Sequence, residues 1–114
     1  MNESYPIIVK TYELSLWYIK KIEKFPKNHR FTLGDKIQNE MIELLLIYTD
    51  TIYSKNKKEL LNKANRSIEK LRILTKLLCD LNILSNDNKR FVITKLNEIG
   101  AMSGGWIKSI STNL

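Results

Sequence analysis

The segment that most constrains the fold of this chain is FPKNHRFTLGDKI, at residues 25–37. It interrupts one helix-forming stretch, continues for six residues as a basic loop, and starts another helix. Thr32 is a favourable N-cap residue, and Asp35 follows three positions later in a variant of the capping box. The sequence therefore predicts two helices joined by this loop.

Three loop side chains, Lys27, His29 and Arg30, lie beside the start of the second predicted helix. The N-terminal end of a helix carries partial positive charge and attracts anions. We therefore expect an anion-binding surface here, and these three residues are candidates for contact with the phosphates of a nucleic acid.

The composition favours a small helical protein. The chain has 114 residues, a length typical of one domain, so residues 1–114 are interpreted as a single domain. Only four glycines and two prolines interrupt it, which favours helix over sheet. No apolar run approaches the ~20 residues that cross a bilayer, and the first residues lack the pattern of a signal peptide. A cytoplasmic protein without a membrane partner is expected.

Apolar residues recur with helical period in four stretches, which predict an all-α, antiparallel up-down four-helix bundle. The predicted helices span about residues 6–24, 33–53, 58–81 and 86–109, with Ser4 and Ser85 as candidate caps of the first and last. The predicted core stripes are Ile8, Tyr12, Ser15, Ile19 and Ile22 in the first helix, Leu33, Ile37, Met41, Leu44, Tyr48 and Thr51 in the second, Leu61, Ala64, Ile68, Leu71, Thr75 and Leu78 in the third, and Val92, Leu96, Ile99, Ser103, Trp106 and Ile110 in the fourth.

Several large apolar side chains point away from these stripes. A helix that is apolar on every side needs partners on every side. We therefore expect a homo-oligomer whose subunit or partner contacts include these side chains. They are Trp17 among the charges of the first helix, Ile42, Leu46 and Tyr53 in the second, and Ile73 and Leu77 in the third.

Three glycines, Gly100, Gly104 and Gly105, fall within the last predicted helix. Each costs about 1 kcal/mol relative to alanine in a helix. The close approach of another helix would explain them, and so would an early end to this helix. The first explanation is favoured.

The net charge of +7 favours a polyanionic partner. Nucleic acid is the commonest such partner, a membrane surface is the second, and a solvated basic surface without a partner is the third possibility. Cations outnumber carboxylates on the third predicted helix, which favours phosphate contacts over a face stabilised by pairs such as Glu59–Lys63. The two basic rows of this helix are Lys63, Arg66 and Lys70, and Lys58, Arg72 and Lys76.

Enzymatic and metal chemistry is not favoured. Cys79 and His29 are the only cysteine and histidine, too few for a structural zinc site. Glu40 and Glu43 are spaced as in dimetal bundles, but no predicted helix carries the histidine that such a site needs. Phosphate-binding glycine loops and nucleophile motifs are also missing from the sequence. No cofactor and no catalytic residue is predicted, and a hydrolase that uses His29 is the weakest hypothesis.

Three stretches of this sequence resemble the accessory variability determinant (Avd) family of diversity-generating retroelements. They are FPKNHRFTLGDKI at 25–37, YSKNKKELLNKANRSIEKLRIL at 53–74 and LNEIGAMSGGWIKS at 96–109. The similarity extends from about Tyr12 to Ser109, and the first and third stretches are its most specific parts. The intervening-sequence proteins of large-subunit ribosomal RNA genes are a related branch, but their loop differs from the first stretch.

The resemblance implies an up-down four-helix bundle that assembles into a pentameric ring with a basic surface. Proteins of this family bind the reverse transcriptase of the retroelement and nucleic acid, and they support mutagenic copying of template RNA into cDNA without catalysing it. The residues that match the electropositive surface of the family are Arg30, Lys63, Arg66 and Arg72. The alternative hypothesis is an oligomeric protein-interaction module without a specific nucleic-acid role.

Overall fold

Four long helices lie where the sequence predicts them. The structure, a computed structural model, describes residues 5–112, and this part of the chain is all-helical. The candidate cap Ser4 lies outside the described residues. The long helices are α1 (Pro6–Ile22), α3 (Leu33–Tyr53), α4 (Lys57–Asp80) and α5 (Asn86–Thr112), and a short helix, α2 (Lys27–Arg30), lies between α1 and α3.

The long helices pack side by side around one apolar core. Both α1 and α4 pack against α3 and α5, so α1 and α4 lie on one diagonal and α3 and α5 on the other. The short connections make consecutive long helices antiparallel. The body is 49 Å long and 22 by 21 Å across. The α2 segment and the α4–α5 turn therefore lie at one end, and the α3–α4 connection lies far away at the other.

The core stripes predicted for α3 and α4 are buried, apart from the half-buried Leu33. In α1 the predicted stripe is rotated from the observed one, because Tyr12 is exposed and Ile19 only half-buried. Thr11 is buried next to Tyr12, and its Oγ1 donates to the carbonyl oxygen of Ile7 at 2.7 Å. A hydroxyl that is satisfied within its own helix can enter the core, and periodicity that counts only apolar residues overlooks it.

The two predicted caps within the described chain have different outcomes. Ser85 Oγ accepts the backbone N–H of Asn88 at 3.1 Å where α5 begins, which confirms this cap. Thr32 occupies the N-cap position of α3 but makes no capping hydrogen bond. Its Oγ1 donates instead to the carbonyl oxygens of Asn28 and His29, at 3.5 and 3.4 Å. The predicted capping box is therefore wrong, because α2 brings these carbonyls within reach of the hydroxyl.

The glycines of α5 lie inside a continuous helix. The helix runs past Gly100, Gly104 and Gly105 to Thr112, which excludes the less favoured explanation, an early end to the helix. A Cβ atom at Gly104 or Gly105 would meet nothing within 4 Å, and one at Gly100 would lie 3.6 Å from Arg72 Nη2, an ordinary contact. The favoured explanation, close approach of another helix, is therefore not observed among the described residues.

Candidate nucleic-acid interface

The α2 segment is held against the end of the bundle by its two flanks. On one side Phe25 is buried in the core. On the other side a Cβ at Gly34 would lie 2.8 Å from Ile22 Cγ2, so only glycine lets the start of α3 come this close to the end of α1. The predicted six-residue loop is therefore wrong. The chain forms one helical turn in its place, fixed by packing.

The three predicted anion contacts in this segment differ in exposure. Lys27 is exposed, whereas His29 and Arg30 are half-buried. Arg30 Nη2 donates to the carbonyl oxygen of Phe25 at 3.3 Å, and Arg30 Nε is buried without a partner among the described residues. Arg30 thus stabilises the segment, and Lys27 is the side chain best placed to meet a phosphate.

A second group of cations surrounds an open cleft of about 980 Å³ between the α3–α4 connection and the end of α5. Its lining includes Lys55, Lys58 and Arg66, with Glu59 as the one carboxylate among the lining residues. Within residues 5–112 these three cations form no ion pair. The structure thus brings together two predicted residues, Lys58 and Arg66, and adds Lys55. Helical periodicity does not indicate Lys55, because this residue lies in the connection, outside the helical rows.

Lys57 lines the same cleft, but its ammonium group is already occupied. Lys57 Nζ donates to the carbonyl oxygens of Thr51, Ile52 and Ser54, each at 2.9 Å. The last carbonyls of a helix have no partner within that helix. Lys57 therefore caps α3 and orients the connection that carries Lys55.

Lys63, Arg66 and Lys70 are exposed, as predicted, and they line a groove between α3 and α4. The groove also contains Glu40 and Glu43 of α3. Lys63 Nζ lies 3.2 Å from Glu43 Oε1, and Glu40 Oε2 accepts the hydroxyl of Ser67 at 2.6 Å. The two carboxylates weaken the positive field along this part of the predicted row.

Arg72 links α4 to α5. Its Nη2 and Nε donate to Asn97 Oδ1 at 2.8 and 3.2 Å, and its Nη1 pairs with Glu69. A phosphate could bind this guanidinium only after some of these bonds open. Lys76, in the same predicted row, pairs with Asp80 at 2.8 Å. The predicted contact residues are therefore separated into an α2 group, a cleft group, a groove group that shares Arg66 with the cleft, and the interhelical link formed by Arg72.

The apolar residues predicted to point outward from α3 and α4 are exposed: Ile42, Leu46, Tyr53, Ile73 and Leu77. In α1, Leu16 and Tyr12 are also exposed, although the pattern predicted Tyr12 in the core. Because α1 and α3 run antiparallel from the contact between Ile22 and Gly34, Leu16 lies within about 3 Å of the height of Ile42, and Tyr12 within about 3 Å of that of Leu46.

Two apolar patches follow from these positions. The α1–α3 patch consists of Tyr12, Leu16, Ile42 and Leu46. The α4 patch consists of Ile73 and Leu77, which are one turn apart. Because α4 is diagonal to α1, the two patches lie on different sides of the bundle. Contact of these patches with other subunits or partners stays a prediction.

Trp17 does not project freely among charges, as the sequence suggested. It is half-buried, and its ring centroid lies 5.0 Å from that of Phe91 in α5 and 5.7 Å from that of Tyr18. Lys21 Nζ lies 5.7 Å from the same ring. A neighbouring helix therefore covers much of the indole, which a pattern within α1 cannot show. Contact between Trp17 and a partner stays a prediction.

Two findings concern metal ions and membranes. Across residues 5–112, no three His, Cys, Asp or Glu side chains are grouped so that they could hold a metal ion. In the same part of the chain, each helix is too short or too polar to cross a bilayer.

The fold and surface define a small helical protein with exposed cations at both ends of its body and apolar patches on its sides. A family model described as bAvd-like matches residues 7–110. The chain belongs to this bAvd-like family, and the resemblance to Avd proteins is confirmed. No curated protein matches the chain.

Proposed function

We propose that this protein is a non-enzymatic accessory subunit of a diversity-generating retroelement. It binds template RNA or cDNA, docks the reverse transcriptase, and so supports mutagenic reverse transcription. The observation that carries the proposal is the bAvd-like match across residues 7–110. The uncompensated cations and the exposed apolar patches support its nucleic-acid and assembly parts.

Nucleic acid binds in this proposal through phosphate contacts. Lys58 and Arg66 at the cleft and Lys27 on α2 are the main contacts, because they are exposed and unpaired in the described chain. Lys63 and Arg72 contribute less, since Glu43, Glu69 and Asn97 already engage them. Contacts of Lys and Arg with phosphates release counterions, so binding falls steeply with salt and depends little on sequence.

Titration of the protein against single-stranded RNA at about 50 and 200 mM salt tests this part. We expect the affinity to fall by at least roughly tenfold between the two conditions. Arg66→Glu should weaken binding more than Arg90→Glu, a matched charge reversal at an arginine that already pairs with Asp87 at 3.7 Å. Binding that is absent or independent of salt would contradict nucleic-acid recognition, and equal losses in the two variants would contradict the cleft.

The ring is proposed from the two apolar patches. When different patches of neighbouring subunits meet, the contact is heterologous, and such contacts close into rings when the rotation fits. We propose that the α1–α3 patch of one subunit contacts the α4 patch of the next. The resemblance to Avd proteins supports five subunits.

Mixing two variants tests this contact. Ile42→Asp/Leu46→Asp removes one patch and Ile73→Asp/Leu77→Asp the other, so each variant alone should be a monomer in analytical ultracentrifugation. In the mixture, the intact α4 patch of the first variant can contact the intact α1–α3 patch of the second. The mixture should therefore form dimers, which cannot grow further because no other intact patch remains. A mixture that stays monomeric would contradict contact between these patches, and a parent protein that stays monomeric at high concentration would contradict the ring.

Docking of the reverse transcriptase is supported by family membership alone. Co-purification of the two proteins tests it, and cDNA synthesis by the enzyme with and without this protein tests the accessory role. The protein alone should synthesise no cDNA. A reverse transcriptase gene beside a near-duplicate variable repeat in the genome would support the assignment further.

An oligomeric protein-interaction module is the second candidate. It is favoured by the neutralisation of Lys63 and Arg72 within the bundle while the apolar patches stay exposed. An oligomer that fails to bind RNA even at low salt would select this function.

A further inference from the structure

The FPKNHRF stretch begins and ends with phenylalanines in opposite environments. Phe25 is 3% exposed, whereas Phe31 is 68% exposed. Phe31 follows Lys27 by four residues, a spacing that places two side chains on the same face of a helical turn. An exposed ring therefore stands beside an exposed ammonium group at the end of the bundle.

The chain segment that carries Phe31 is strongly positive. Residues 20–36 contain six Lys or Arg and two carboxylates, Glu23 and Asp35, a net charge of +4 out of +7 for the whole chain. Neither carboxylate forms an ion pair within residues 5–112. An aromatic ring in this field fits an anionic partner better than a neutral apolar one.

The turn that carries the ring is anchored to the bundle. Burial of Phe25, the hydrogen bond from Arg30 to the Phe25 carbonyl, and the close contact between Gly34 and Ile22 hold the turn in place. Thr32, the next residue, donates its hydroxyl back to the carbonyls of this turn. A preorganised contact loses less conformational entropy on binding than a mobile one.

We propose that Phe31 stacks on an unpaired base of single-stranded nucleic acid while Lys27 contacts an adjacent phosphate. Single strands offer both groups, and proteins that bind them combine aromatic platforms with positive charge. This inference rests on the proposed nucleic-acid function and adds a contact with bases to the contacts with phosphates. A duplex keeps its bases stacked inside, so Phe31 discriminates against it.

Two oligonucleotides of about 16 nucleotides test the proposal, one with normal bases and one abasic throughout, with the same backbone charge. Phe31→Ala should weaken binding to the first by at least about fivefold and leave binding to the second unchanged. Phe31→Trp should keep the affinity of the parent, because indole also stacks. Lys27→Ala should weaken binding to both oligonucleotides.

The other outcomes separate this inference from the proposed function. If the parent binds both oligonucleotides and Phe31→Ala changes neither affinity, or both equally, the stacking role is wrong and the phosphate contacts stand. If the parent binds neither, the nucleic-acid function is wrong, and the stacking role with it. If Phe31→Ala dissociates the oligomer in ultracentrifugation, Phe31 is a subunit contact and the proposal is overturned.

Discussion

The hydroxyl groups of Tyr18 and Thr75 lie 2.8 Å apart, with both side chains fully buried. Tyr18 belongs to α1 and Thr75 to α4, so this hydrogen bond spans one diagonal of the bundle. On the other diagonal Tyr48 of α3 lies next to Ser103 of α5, and these two hydroxyls have no well-formed hydrogen bond among the described residues. Buried polar pairs fix the relative height of two helices, because a shift of one turn leaves both groups unpaired.

Thr75→Val should destabilise the protein by about 1–3 kcal/mol, because valine keeps the shape of threonine but leaves the buried Tyr18 hydroxyl without a partner. Tyr18→Phe should cost less, since the Thr75 hydroxyl can turn to a carbonyl of its own helix. Unfolding by urea measures both effects. The Tyr18→Phe/Thr75→Val double variant should lose much less unfolding free energy than the sum of the two single variants, because neither hydroxyl is then left unpaired. Strictly additive losses would show that the bond contributes no coupling between α1 and α4.

The two core tyrosines should make stability fall in alkali. Burial raises the pKa of Tyr18 and of Tyr48 to about 12, while the neighbouring Thr75 and Ser103 hydroxyls act in the opposite direction. Unfolded tyrosines ionise near pH 10, so between about pH 10 and 12 the folded chain keeps protons that the unfolded chain loses. The stabilisation is complete below pH 10 and is lost as the pH rises through this window.

Urea unfolding at a series of pH values measures this dependence. The unfolding free energy should decline by up to about 1.4 kcal/mol per pH unit for each tyrosine. Tyr18→Phe and Tyr48→Phe should each make the decline shallower. An unchanged slope in both variants would contradict the assignment of the decline to Tyr18 and Tyr48.

Two glycines should respond to alanine in opposite ways. Gly34→Ala should destabilise the fold by about 1–3 kcal/mol, since the new Cβ would lie 2.8 Å from Ile22 Cγ2 and the buried Ile22 side chain has little room to move. Gly104→Ala is the matched control, because its Cβ would meet no atom within 4 Å. It should stabilise α5 by up to about 1 kcal/mol. Thermal unfolding measures the change in melting temperature of each variant relative to the parent. Equal changes in the two variants would contradict the close contact at Gly34.

Lys57→Met should destabilise the α3–α4 connection by about 1–3 kcal/mol, because three carbonyl oxygens lose a charged donor. Lys55→Met removes the same charge from an exposed side chain and should leave stability nearly unchanged. Urea unfolding separates the two variants. In RNA titrations the order of the two variants should reverse, because Lys55→Met should lose more affinity than Lys57→Met. A larger loss of affinity in Lys57→Met would instead place the Lys57 ammonium group in the RNA interface.

The period of apolar residues was sufficient to predict the helices and most of the core. It placed α3 at Leu33–Tyr53 and identified its buried face, because the residues of that face recur with the helical period although other apolar side chains of α3 stay exposed. It failed for α1, where Thr11 is buried and Tyr12 exposed. It also failed at Thr32, because the turn formed by α2 offers the hydroxyl a better partner than α3 does.

The sequence by itself determined the all-helical fold, the family and the excess of positive charge, since all three follow from residue types and their spacing along the chain. Only the tertiary structure decided which cations are free. Lys57 caps α3, Lys63 pairs with Glu43, and Arg72 bonds to Asn97, whereas Lys58 and Arg66 keep their charge exposed at the cleft. The physical reason is that these pairings depend on the relative height and rotation of neighbouring helices, which the periodicity of a single helix does not specify.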